Sequence, residues 1–214
     1  MRPKRPRARK DISLGSLFLL GLLAVAAGCA SPPSDCGNIC SIFAEYPDWY
    51  EAARDAERRW GVSIPVMMAI VYQESSFRDD ARPPRTWILG FIPGPRPSSA
   101  YGYAQALDET WDLYMLKTGK RWAERDDFGD TMDFLGWYCD QSSRLCGISK
   151  RDAYHLYLAY HEGHTGFNRR TYRNKTWLLQ VALKVRKRAA TYARQLSGCR
   201  RQLDEEADSG FWFF

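Results

Sequence analysis

The chain has 214 residues, a formal net charge of +6, six cysteines and 14% aromatic residues. That length allows one domain with a real core beyond a targeting segment. The first 28 residues hold Arg2, Lys4, Arg5, Arg7, Arg9 and Lys10 against Asp11 and so carry +5 of the charge; the remainder is near neutral, and its basicity is no argument for a nucleic-acid partner.

The basic start leads into an apolar run from Leu14 to Ala27, closed by Ala26-Ala27-Gly28-Cys29. A basic segment, a short apolar segment and small residues at a cut site predict a secretory signal over residues 1–28. The run is too short for a comfortable membrane span, which needs about 20 residues. Cys29 after Ala-Ala-Gly resembles a bacterial lipobox, with Ala26 where a branched residue is usual. That resemblance implies a lipid on Cys29, a membrane attachment through it, and an outer-membrane lipoprotein facing the periplasm. A short tether is expected over 29–44, a helical domain over 45–200 and a tail over 201–214. Outside the cytoplasm disulfides persist. Cys139 and Cys146 bracket six residues and suggest a local loop closure, and either Cys36 or Cys40 is placed to tie the N-terminus to Cys199.

Helical periodicity dominates the body. Trp49, Ala52, Ala53, Ala56 and Trp60 form one face of a helix starting after Asp48, and Gly61 ends it. Ser63 and Pro65 open a second helix, almost wholly apolar from Val66 to Val71, which delivers Glu74 near its end. Residues 81–100 are a long Pro- and Gly-rich apolar loop. Further helices open near Asp108, run from Phe128 to Tyr138, start from a capping-box variant Ser149-x-x-Asp152, and span about Thr176 to Cys199. No strand pattern longer than a few residues is present, so an all-α fold is expected.

Glu74 is the chemical focus. A carboxyl among apolar neighbours is held protonated near neutral pH and can donate a proton to a leaving group. Most glycosidases use two carboxylates; substrate-assisted ones need a single acid. No second carboxylate motif stands out, and Glu162, Asp108 and Glu109 are candidates by position alone. His155, His161 and His164 read as ordinary hydrogen-bonded histidines, and neither metal nor cofactor is expected.

Three stretches occur in order: Glu74-Ser75-Ser76-Phe77, Gly102-Tyr103-Ala104-Gln105 before Thr110-Trp111, and Ala159-Tyr160-His161-Glu162-Gly163. Over residues 45–195 the chain resembles the lytic transglycosylases of the SLT type, related to goose-type lysozyme, whose signatures are Glu-Ser, Gly-Leu-Met-Gln and Ala-Tyr-Asn. The resemblance implies a lysozyme-like helical domain acting on peptidoglycan glycan strands without cofactor. Glu74 would be the single catalytic acid and base, leaving 1,6-anhydro-N-acetylmuramic acid ends. Ser75 would sit beside it, and Ser98 would orient the substrate N-acetyl group. Gly102, Tyr103 and Gln105 would line the sugar subsites, with Tyr101 also in the cleft. Tyr160 would place its hydroxyl near the Glu74 carboxyl. Tyr103-Ala104 stands where the family has Leu-Met, and His161 where it has Asn. A lysozyme-like hydrolase on the same fold and a non-catalytic peptidoglycan-binding lipoprotein are the alternatives.

Overall fold

A computed structural model describes residues 31–210. The signal segment expected over residues 1–28, Cys29 and the last four residues lie outside them. Seven α-helices carry the fold: α1 (Ile39–Glu45), α2 (Pro47–Trp60), α3 (Ile64–Ser75), α4 (Asp108–Thr118), α5 (Phe128–Cys146), α6 (Ala153–Asn168) and α7 (Thr176–Gly210). A 3-10 turn, Thr171–Asn174, joins α6 to α7, and two two-residue strands, β1 (Trp87–Ile88) and β2 (Ile92–Pro93), pair antiparallel inside the Pro-rich loop.

The helix ends follow local chemistry. Pro47 stands in the first turn of α2, where its missing N–H removes no helical bond, and Gly61 closes that helix at φ 70°. Asp127 and Asp152 cap α5 and α6 by accepting from the backbone N–H of Asp130 and His155. The cap of α6 is therefore Asp152, and Ser149 instead accepts from the N–H of Arg151. The α5 pattern expected to stop at Tyr138 runs on for two turns to Gly147.

α3 is apolar all round, and Ile64 to Val71 are buried. A helix of that kind must be enclosed. It packs against α7 on one side, with α2 and α5 also touching it, while α6 lies between α5 and α7. α2 approaches α5 closely because Gly136 has no side chain: a Cβ there would lie 2.4 Å from Cδ1 of Trp60. The Trp60 indole N–H donates to Asp133 at 2.8 Å, and Tyr114 donates to the same carboxylate at 2.7 Å. This buried acid of α5 is thereby satisfied from two other helices, α2 and α4.

Three expectations need correction. Cys139 and Cys146 are not bridged: both lie on α5, where seven residues of helix separate them by roughly 10 Å, too far for a disulfide. The bridge formed is Cys40–Cys199, leaving Cys36 a thiol. The tether does not reach residue 44, because α1 buries Ile39, Ile42 and Phe43 completely. Nor does a tail start at 201: α7 continues to Gly210, burying Leu203 and presenting Asp204 to the Tyr50 hydroxyl at 2.5 Å.

Candidate active site

Glu74 occupies the last turn of α3. The two residues that follow the helix, Ser76 (φ 53°) and Phe77 (φ 62°), are both left-handed without being glycine. Each costs roughly 1–2 kcal/mol in that conformation. Phe77 offsets this by full burial, stacked on Trp49 with ring centres 5.9 Å apart. The sharp turn thus fixes the helix end that carries the acid, a common setting for stored strain.

Glu74 keeps part of its residue surface open, yet its carboxyl is packed round by protein. Burial pushes its pKa up to about 7, opposed in part by the nearby Tyr157 hydroxyl. Tyr157 comes from α6, and its own pKa is raised, first by burial and then by the Glu74 charge. Tyr160, one turn further along α6, also feels that charge. Its hydroxyl, however, donates to the Ala104 carbonyl at 2.6 Å. Tyr160 therefore lies within reach of the Glu74 charge while its hydroxyl ties α6 to the glycine motif, and Tyr157, one turn earlier, is the tyrosine that lowers the Glu74 pKa. A second tyrosine three residues before Tyr160, on the same helix face, was the available signal.

The glycine motif is a tight turn rather than a cleft wall. Gly102 has φ 75°, and a Cβ there would lie 2.0 Å from the Arg125 carbonyl oxygen, so only glycine fits. Tyr103 corrects its expected role: it is 1% exposed, edge-on to Trp49 and Phe128 in the core. Gln105 (φ 51°) donates its side-chain amide to the carbonyls of Ala81 (2.7 Å) and Gly102 (2.9 Å). It clamps the root of the Pro-rich loop to the turn. Tyr101 donates to Asp126 at 2.7 Å with the Arg82 guanidinium over its ring.

Ser75 is buried, and its hydroxyl donates back to the Val71 carbonyl at 3.3 Å, so it serves the helix rather than an open groove. Ser98 is exposed and accepts from the N–H of Ala100 at 3.4 Å. His161 shares a 3.1 Å contact with Glu162 and meets the Trp177 ring edge-on. Burial would raise the Glu162 pKa, but bonds from Lys175, Thr171 and His161 outweigh it and hold the carboxyl below its usual range. Lys175 donates at 2.7 Å. Asp108 pairs with Arg125 at 2.7 Å, and Glu109 is an exposed residue of the first turn of α4. Two of these three carboxylates, Glu162 and Asp108, are thus paired with cations. Among the described residues no three His, Cys, Asp or Glu side chains gather into a ligand set.

Size does not mark this site. A cleft of about 770 Å³ lies between α3, α6 and α7 beside Glu57, Arg151 and Arg200, and Glu74 is not in its lining. Chemistry marks it: a carboxyl poised near neutrality at a helix end, with Tyr157 and Tyr160 of α6 close enough to feel its charge. The fold is that of a lysozyme-like, all-α domain. The family description Transglycosylase SLT domain matches residues 17–199, and the chain belongs to that family. It is accordingly a domain of the type that acts on peptidoglycan. Comparison with curated proteins and with solved structures returns no match.

Proposed function

We propose that the chain is a peptidoglycan lytic transglycosylase that cuts the β-1,4 bond between N-acetylmuramic acid and N-acetylglucosamine without water. The observation that carries this reading is Glu74, a lone acid with a pKa near 7 and a tyrosine partner. In the first step protonated Glu74 gives its proton to the glycosidic oxygen, which leaves with the bonding electron pair. The 2-acetamido carbonyl of the muramic residue closes on the anomeric carbon, so no enzymic nucleophile is needed. In the second step the Glu74 carboxylate removes the proton of the C6 hydroxyl. That oxygen displaces the acetamido oxygen, closes the 1,6-anhydro ring, and leaves Glu74 protonated again. Tyr157 favours the carboxylate produced by the first step, and a pKa near neutrality suits both proton transfers.

The same reading places a lipid on Cys29 and the enzyme on the periplasmic face of the outer membrane. The pairing of Glu162 with Lys175 and of Asp108 with Arg125 argues against a hydrolase with a second acid. Digestion of purified sacculi, with mass spectrometry of the products beside Glu74→Gln, tests the reaction. Anhydro-muramic ends from the parent chain alone are expected. Reducing ends would make it a hydrolase, and sacculus binding without cleavage would make it a binding protein.

A further inference from the structure

The Pro-rich loop does not fold onto the core. Thr86 bonds across to Pro95 and Gly94 and closes a stem, above which β1 and β2 form a short hairpin. Its tip displays Trp87 (63% exposed), Leu89 (78%) and Phe91 (72%), beside Ile92 (43%). Single exposed apolar residues are ordinary, but four within six positions form a contact surface. Turn geometry does not call for them: Leu89 sits at φ 55°, where Asn, Asp or Gly is the easier residue.

The surroundings of the stem are basic. Arg85 and Arg96 turn their guanidinium groups to the carbonyls of Gly94 and Pro83, and Arg82 covers the Tyr101 ring. None of these partners cancels a charge. The cleft at the loop root sets Arg78, Arg82 and Arg96 against one acid, Asp80. An apolar tip above a cationic collar is the pattern of an element that dips into an anionic lipid surface.

We propose that the hairpin tip Trp87–Ile92 is a membrane contact, inserting into an anionic lipid surface under its collar of arginines and fixing how the catalytic domain stands on it. The lipid on Cys29 belongs to the preceding proposal, so the test removes it. The chain from Ser31, which holds the whole core described above, is floated with vesicles of phosphatidylglycerol and phosphatidylethanolamine, and separately with phosphatidylcholine alone. Flotation with the anionic vesicles and a blue shift of tryptophan fluorescence are expected. The variant Trp87→Ser/Leu89→Ser/Phe91→Ser should lose at least tenfold in bound fraction while cutting soluble glycan fragments at the parent rate. Leu89→Asp, which suits its left-handed position and keeps the rest of the tip, should bind weakly with an unchanged circular dichroism spectrum. Absence of flotation by the parent chain overturns the proposal. So does a triple variant that floats normally while a chain ended at Gly210 does not, since the aromatic sequence Phe211-Trp212-Phe213-Phe214 would then be the contact. Loss of cleavage of soluble glycan by the triple variant also overturns it, and makes the hairpin a wall of the substrate groove.

Discussion

Glu74 is costly to ionise in the folded chain, and this has two separable consequences. Its folded pKa is raised from 4.5 to about 7, so its contribution to stability is fully present below pH 4.5, falls as pH rises from 4.5 to 7, and is lost above it. At pH 8 the penalty approaches about 3 kcal/mol, the shift multiplied by about 1.4 kcal/mol per unit. Glu74→Gln removes the charge. Chemical denaturation should show the variant more stable than the parent at pH 8 and equal to it at pH 4. In activity the same variant should fall by about 10²–10⁴-fold or more, as expected for loss of a general acid. Tyr157→Phe removes the hydroxyl that lowers the Glu74 pKa. The alkaline limb of its kcat/KM profile should therefore move to higher pH, with a lower maximum. An unmoved limb would show that Tyr157 does not touch the acid. Tyr160→Phe should instead lower thermal stability with the limb in place, because its hydroxyl serves Ala104.

The helices are held in register by a few positions where only one residue type fits. Gly102 meets a carbonyl, and Gly136 meets an indole. Gly102→Ala combines a clash against backbone with a left-handed φ and should cost more than about 2 kcal/mol, read as a lowered denaturation midpoint. The Cys40–Cys199 bridge closes a 159-residue separation between α1 and α7. Chain entropy assigns such a link up to about 5 kcal/mol. Reduction, or Cys40→Ser, should lower Tm, whereas Cys146→Ser should leave it nearly unchanged. Thiol labelling of the unfolded, unreduced chain from Ser31 should find Cys36, Cys139 and Cys146 reactive. At this level the sequence was legible where periodicity is strong. α2, α3, α4 and the start of α7 lie within a residue or two of expectation. Periodicity weakened after Tyr138, where Asp140, Gln141, Ser142 and Ser143 mimic a loop. The fold overrides that signal by burying Asp140 and Ser142: Asp140 pairs with Lys150 and Arg144, and Ser142 bonds to Tyr138 and His164.

The whole molecule is an α-helical body with its acid at one helix end and an apolar hairpin projecting from the Pro-rich loop. No described helix is long and apolar enough to cross a membrane. Attachment therefore falls to Cys29 in the reading proposed above. Mass spectrometry of the protein from membranes should find an acylated Cys29 at the mature N-terminus, and Cys29→Ser should shift the protein to the soluble fraction; an unmodified Cys29 would remove the lipoprotein reading. The order of three short motifs, the all-helical periodicity and the isolation of Glu74 in an apolar stretch were all written in the linear chain, because each depends on neighbours within a turn or two. Which hydroxyl reaches the acid, that Tyr103 faces the core, that Ser75 bonds back to its own helix, and which cysteines meet were decided only by packing between elements. Those contacts join residues from 4 to 159 positions apart, and a shift of one helical turn, or of one face, redirects each of them without any change in local pattern.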